Sequence, residues 1–294
     1  MTEASEPVGL AIVDKPAGWT SHDVVARMRR LARTRKVGHA GTLDPMATGV
    51  LVLGIGRATR LLGHLQLADK EYLATIRLGE STITDDAEGE IIETADASGL
   101  DLARIEAAMA PLTGDIAQVP SKVSAIKVDG RRSYARVRAG EDVELAARPV
   151  TVSVFEAVDV RTGERTADVE VRVVCSSGTY VRALARDLGA SLGVGGHLTM
   201  LRRTRVGGFG LDRARTLDQL AERLDITGLD DAARAAFDRR VLDETQARLA
   251  RHGRVLEGLA LPEDGPTALF GPDGDFLALY EPRGADARPV AVFT

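Results

Sequence analysis

Apolar positions along this chain switch repeatedly between a helical and an alternating rhythm, and the switches outline an α/β protein. A short apolar run at residues 9–13 predicts a strand, ended by the turn signal Asp14-Lys15-Pro16-Ala17-Gly18. Val24, Val25, Met28 and Leu31 then recur at helical spacing, with Thr20 or Ser21 as the cap and Asp23 in the first turn. The unbroken apolar run at 50–55 predicts a buried strand, residues 57–67 a helix, and 71–78 an alternating strand. A helix is expected over 102–112, with Ile105, Met109 and Leu112 on one face, and a strand over 123–128. Residues 129–147 are basic, polar and weakly periodic, which marks an exposed insertion with a short helix around 134–138.

Farther on, residues 150–160 and 167–175 alternate and predict a hairpin. A helix over 180–191, a core strand over 197–206 and a long acidic helix over 216–237 follow. The last stretch, 260–293, reads as short strands with turns at Pro272-Asp273-Gly274 and Pro282-Arg283-Gly284. The pattern as a whole implies α/β structure with much antiparallel strand. The boundary falls near Leu242, giving a domain over 1–241 and a small β-rich module over 242–294.

Composition narrows the class. No apolar run approaches membrane-spanning length, and residues 1–7 are short and acidic, unlike a signal peptide. The single cysteine, Cys175, allows no internal disulfide and no multi-cysteine zinc site. A cytoplasmic protein without structural metal is the simplest expectation. The net charge of −5 argues against nucleic acid until its distribution is considered. Residues 21–64 hold eight Lys/Arg against two acids, residues 172–205 six Arg against one acid, and residues 121–150 seven Lys/Arg against four acids. A basic face on an acidic body fits phosphate binding, whereas solvated helix faces are the commoner fate of such runs.

The three blocks coincide with the segments that carry candidate chemistry. In Gly38-His39-Ala40-Gly41-Thr42-Leu43-Asp44-Pro45-Met46-Ala47-Thr48-Gly49, one carboxylate sits in a glycine-rich loop between a basic helix and a buried strand. Pro45 restricts Asp44 to extended backbone, and the glycines allow close approach of something bulky. A nucleophilic carboxylate needs such a pose. An isolated Asp-Pro in a loop is more often a turn residue or cap, so the weight comes from the whole string.

That string resembles the catalytic loop of the TruB family, the tRNA pseudouridine synthases that act on the T-loop uridine (tRNA position 55). Further segments resemble the same family in order: Asp14-Lys15-Pro16-Ala17-Gly18-Trp19-Thr20-Ser21, then Asp69-Lys70-Glu71-Tyr72, then the Thr/Asp-rich turn at 78–89. Pro120-Ser121, Cys175-Ser176-Ser177-Gly178-Thr179-Tyr180-Val181-Arg182 and Leu201-Arg202-Arg203-Thr204 complete the set, which covers about residues 9–210. Ile83 stands where the family often has an acid, and Val123 where an aromatic is expected.

The resemblance implies a pseudouridine synthase fold, α+β with a large mixed, mostly antiparallel sheet. It also implies an RNA-gripping insertion at about 120–150 and a reduced PUA-like C-terminal module. It makes Asp44 the catalytic aspartate, Arg182 the arginine that pairs with it and holds it ionised, and Tyr72 the ring that stacks on the uracil. Tyr180 and Leu201 would wall the pocket, and His39 would fill the gap left by a flipped base. Lys15, Arg202 and Arg203 join the RNA-binding set, the two arginines at phosphates. The implied partner is the tRNA T-stem-loop, and a monomer is expected only because an RNA enzyme with its own basic face needs no second copy. The isomerisation requires no cofactor, energy source or metal.

Two other classes compete. A catalytically silent RNA-binding protein or tRNA-folding chaperone on the same fold needs no carboxylate aimed at an anionic ligand, so Asp44, Tyr72 and Arg182 argue against it. A nucleotide-dependent enzyme is disfavoured because Gly54-Ile55-Gly56-Arg57-Ala58-Thr59 lacks the third glycine and no phosphate-binding P-loop pattern occurs. The zinc deaminase signature is absent too.

Overall fold

The computed structural model describes residues 6–121, 127–128, 131–132 and 145–293. It divides into two compact units, one from residues of 1–45, 49–67 and 206–294, the other from 46–48 and 68–205.

In the first unit, strand Gly9–Lys15 runs antiparallel to strand Thr48–Ile55, from Gly9 opposite Ile55 to Lys15 opposite Gly49. The short strand Val37–His39 also pairs with the end of Thr48–Ile55. The apolar run at 50–55 is buried along its whole length, as a strand covered on both faces must be. Helix Ser21–Leu31 buries Val24, Val25 and Met28 and leaves Arg29 and Arg30 exposed.

The expected helix at 57–67 is a tighter element, a 3-10 helix at Gly56–Leu61 followed by one α turn at Leu62–Leu65. Gly56 has a left-handed φ of 62°, and the Thr59 hydroxyl donates to Gly56 O at 2.8 Å, which favours the tight winding. The long helix expected at 216–237 is two helices, Leu217–Glu222 and Leu229–Ala236. Between them Thr227 exchanges backbone hydrogen bonds with Leu10 at 2.8 Å each way, so this part of the chain acts as a strand edge. Gly9 makes room for it, since a Cβ there would lie 2.2 Å from Thr227 O.

The C-terminal sheet has the order Arg239–Val241, Thr267–Phe270, Phe276–Arg283, Asp286–Val292, with the first pair parallel and the rest antiparallel. Pro272 to Gly274 turns as expected, but the next strand runs through Pro282 to Arg283 before turning. Helix Glu244–Arg251, which no apolar rhythm announced, buries Ala247 and Ala250 beside Leu277 and Tyr280. Phe270, Phe276 and Phe293 share one apolar core with Leu10, Val50, Val52 and Leu61.

In the second unit the strand order is Gly196–Val206, Lys70–Leu78, Ala167–Cys175, Arg148–Thr162, Gly114–Gln118. The last three pairings are antiparallel, and the expected hairpin is present with Phe155 opposite Val173 and Val152 opposite Cys175; on its other edge strand Ala167–Cys175 sets Val173 opposite Tyr72 and Cys175 opposite Lys70. Helix Leu102–Met109 ends in a 3-10 turn at Pro111, because proline removes a helix donor. It packs against helix Val181–Leu192. The strand expected at 123–128 and the helix at 134–138 fall outside the described residues, except that Lys127–Val128 pairs with Arg131–Arg132.

Candidate active site

The loop that carries Asp44 is held on both sides of the aspartate. Thr20 caps helix Ser21–Leu31 through a reciprocal pair with Asp23, Asp23 N–H to Thr20 Oγ1 at 3.1 Å and Thr20 N–H to Asp23 Oδ2 at 2.9 Å. The Thr20 hydroxyl, which donates to Asp23 Oδ2 at 2.5 Å, and after it the Thr20 N–H hold the Asp23 carboxyl below its usual range. The cap sets Ser21 at the buried start of the helix, where its hydroxyl meets Leu43. Leu43 N–H donates to Ser21 Oγ at 2.9 Å, and the hydroxyl donates to Leu43 O at 3.2 Å.

On the other side, Pro45 O accepts from Gly18 N–H at 2.8 Å and from the Lys15 ammonium at 3.1 Å. Lys15 is 0% exposed and also donates to Pro16 O at 2.9 Å and Trp19 O at 2.6 Å. Asp44 itself is half-buried. Gly41 and Gly49 bracket the loop at φ 93° and 98°, values that L side chains rarely adopt. His39 closes strand Val37–His39, its ring edge-on to His22 at 5.7 Å between centroids.

In the second unit, the period-two rhythm of strand Lys70–Leu78 turns Lys70, Tyr72, Ala74, Ile76 and Leu78 to the buried face. Tyr72 is 7% exposed. Leu201 is buried on strand Gly196–Val206, and Tyr180 is the residue before helix Val181–Leu192. Gln118, buried at the end of its strand, clasps that helix start. Tyr180 N–H donates to Gln118 Oε1 at 2.8 Å, and Gln118 Nε2 donates to Tyr180 O at 3.1 Å.

Arg182 is 6% exposed, and its Nη1 donates to Thr84 O at 3.0 Å and to Asp86 Oδ2 at 3.2 Å. The other oxygen of Asp86 accepts from the Thr84 hydroxyl at 2.5 Å and from Glu88 N–H at 3.1 Å. The Thr/Asp-rich turn is therefore a cradle that orients the arginine.

Two residues assigned to RNA contact stand too deep for it. Lys15 is enclosed by the carbonyls just described, and Arg203 is 1% exposed, on the same strand face as Leu201. Arg202 lies on the opposite face, half-buried, with Nη1 donating to the Thr48 hydroxyl at 3.3 Å. Counting charge by block also overstates the basic face at 172–205. Arg172 pairs with Glu71 and Glu156, Arg205 with Asp69 and Glu71, Arg182 with Asp86, and Arg186 with Asp85. The cations of the first unit are more open: Arg29, Arg30, Arg33, Arg35 and Lys36 are exposed immediately before the Asp44 loop.

Ser21, Asp86 and Gln118, which the sequence does not single out one by one, hold the candidate residues or their neighbours. Each acts by bonding a distant segment, and only the unusual Thr84-Asp85-Asp86 run hinted at such a role. Lys70 is a buried charge on the same strand face as Tyr72, its Nζ donating to Ala68 O at 2.7 Å. Burial drops its ammonium to about 8, and Arg203 nearby pushes the same way. Across the ladder, burial raises the Cys175 thiol to about 11.

Comparison with known proteins identifies the family. Residues 29–181 match the TruB family pseudouridylate synthase N-terminal domain, 182–244 the tRNA pseudouridylate synthase B C-terminal domain, and 237–294 the tRNA pseudouridine synthase II C-terminal domain. The chain is 63% identical to tRNA pseudouridine synthase B of Streptomyces griseus, with all of both chains covered. It is 58% identical to the protein of that name in Mycobacteroides abscessus, covering 99% of this chain and 98% of the other. Among solved structures, an H/ACA RNP bound to a substrate RNA containing 2′-deoxyuridine superposes with a TM-score of 0.73 at 25% identity, over 97% of this chain and 85% of that one. A Cbf5-Nop10-Gar1 complex gives 0.73 at 26% identity, over 97% and 84%. These matches share the α+β architecture of a large mixed sheet with helices and a small C-terminal β domain. The chain belongs to the TruB family of tRNA pseudouridine synthases.

Proposed function

We propose that the chain converts the T-loop uridine at tRNA position 55 to pseudouridine, with Asp44 as its catalytic residue. In this reaction the bond from ribose C1′ to N1 breaks and a bond from C1′ to C5 forms. The C5 hydrogen leaves to solvent, and N1 takes up a proton. Electrons balance within the substrate, so the protein has to supply only positioning and charge. The observation that carries the reading is the double anchorage of Asp44. Leu43 before it and Pro45 after it are each held by two hydrogen bonds to the segment 15–21, so the backbone that carries the carboxylate has little freedom. A turn residue or cap would not need that.

Around it we assign roles by family resemblance and by what each side chain can do. Arg182 is the arginine that the family resemblance assigns as the partner of the catalytic aspartate, its fork aimed by Asp86 and Thr84. Tyr72 stacks on the uracil, with Tyr180 and Leu201 as walls. His39 occupies the space of the flipped base, a stacking surrogate that offsets an unstacking cost on the order of a few kcal/mol. Arg202 and the exposed cations at 29–36 contact phosphates. Lys15 supports the loop from beneath. The module from residue 242 acts as a reduced PUA-like domain, a reading supported by the family match over 237–294.

The test is tritium release from a T-stem-loop RNA carrying 5-tritiated uridine, with no cofactor added. Wild type releases tritium; Asp44→Ala releases none yet still retains the RNA on a filter. RNA binding without release by wild type would move the protein to the chaperone reading, and equal release by both would remove Asp44 as the essential residue.

A further inference from the structure

Helix Val181–Leu192 presents two arginines one turn apart to two consecutive acids. Arg182 meets Asp86 at 3.2 Å and Arg186 meets Asp85 at 3.3 Å. Adjacent residues in extended chain point opposite ways, so this doubling needs a special backbone. Asp85 supplies it with a left-handed φ of 59°. Aspartate tolerates that conformation better than most residues, though it still costs about 1 kcal/mol. Asp85 is also deeply buried, which raises its carboxyl against the opposing pull of Ser121, Arg186 and Arg182. Its own carbonyl accepts from Leu198 N–H at 3.0 Å, which joins the turn to strand Gly196–Val206.

The Arg186 fork is fully engaged. Nη1 goes to Asp85, Nη2 to Val119 O at 2.7 Å and to Asp187 at 2.8 Å, and Nε to Asp187 at 2.9 Å. Val119 follows Gln118, the residue that clasps Tyr180 at the start of the same helix. One guanidinium therefore ties together the turn that holds Arg182 and the strand end that holds the Arg182 helix. A surface pair made only for stability would not need to touch both.

We propose that Arg186 is a positioning residue for Arg182, acting through Asp85 on the turn that carries Asp86 and through Val119 on the clasp made by Gln118. The proposal rests on the reading of Arg182 as the active-site arginine. A guanidinium makes directional bonds, and misplacement of a catalytic group by an ångström costs rate far more than it costs affinity. Loss of Arg186 leaves a buried Asp85 carboxylate without its nearest charge partner, and the turn relaxes with Asp86 in it.

The test compares wild type with Arg186→Gln, Asp85→Asn, the double variant and Arg182→Gln, using T-stem-loop RNA. Asn keeps the left-handed backbone and the side-chain shape while removing the charge. We expect kcat to fall about tenfold in Arg186→Gln and in Asp85→Asn. KM should stay within about twofold of wild type, and the double variant should be no slower than the slower single variant. Melting temperatures in parallel identify any variant that fails to fold, in which case Asp85→Asn alone reads out the coupling. Unchanged kcat in Arg186→Gln and Asp85→Asn with an inactive Arg182→Gln overturns the proposal alone. Multiplying effects in the double variant overturn it as well, because they mean two independent structural losses. Full activity in Arg182→Gln overturns the Arg182 reading and this proposal with it.

Discussion

Ser21 and Leu43 exchange two hydrogen bonds, Leu43 N–H to Ser21 Oγ at 2.9 Å and Ser21 Oγ–H to Leu43 O at 3.2 Å. Both groups are buried, so no water replaces the hydroxyl if it is removed. Ser21→Ala therefore leaves a donor and an acceptor unpaired next to Asp44. We expect a stability loss of about 1–3 kcal/mol in urea unfolding, together with a drop in kcat at unchanged RNA affinity. An alanine variant with wild-type kcat would show that Asp44 holds its pose without this bond.

Lys15 makes a stronger case from beneath the same loop. Its ammonium serves the carbonyls of Pro16, Trp19 and Pro45, and methionine matches its length while offering none of these bonds. Lys15→Met should cost on the order of 3 kcal/mol, because several buried carbonyls lose their donor at once. Hydrogen exchange should then rise at Gly18 and Leu43. Unchanged protection there would mean the loop does not depend on the lysine.

Arg182 serves Thr84 O and Asp86 from one nitrogen of a planar fork. Lysine keeps the charge but not the plane. In Arg182→Lys, kcat should fall by roughly 100-fold while T-stem-loop binding changes little. Single-turnover tritium release at saturating enzyme separates that outcome from weakened binding.

Lys70 and Cys175 face each other across the ladder and impose opposite pH dependence. The folded state lowers Lys70 from 10.5 to about 8, so between those values the unfolded chain holds more protons and stability rises with pH. The folded state raises Cys175 from 9.0 to about 11, so in that window the folded chain holds more protons and stability falls with pH. Wild type should gain stability from pH 8 to 9 and then level off. Lys70→Met should remove the gain and show only the decline above pH 9, while Cys175→Ala should extend the gain toward pH 10.5. Melting temperatures from pH 7 to 11 check all three, and superimposable curves would refute the pairing.

The period-two rhythm of 71–78 correctly gave a strand, on whose buried face Tyr72 lies, and helical spacing correctly gave helix Ser21–Leu31 its buried stripe. Both are local properties, set by geometry within a few residues. The same rhythm, continued one step back, places Lys70 on the buried face, a charge that pattern reading leaves in solvent by default. The helix expected over 216–237 failed because Thr227 found a better backbone partner in Leu10, more than two hundred residues away. Arginine-rich blocks looked like an open cationic face because their carboxylate partners, Glu71, Asp69 and Asp86, lie on other elements.

By itself the sequence determined many of the elements, strand Lys70–Leu78 and helix Ser21–Leu31 among them, and the ordered motifs whose family resemblance singles out Asp44, Tyr72 and Arg182. The elements depend on apolar spacing along one chain, and the site residues on motifs that resemble those of a known family. Only the tertiary structure decided what holds them. The two bonds from Ser21 to Leu43, the buried ammonium of Lys15 under Pro45, the cradle of Asp86 around Arg182 and the clasp of Gln118 on Tyr180 join residues 22, 30, 96 and 62 positions apart. Hydrogen bonds act over about 3 Å, and the folded path alone brings such distant groups within that reach.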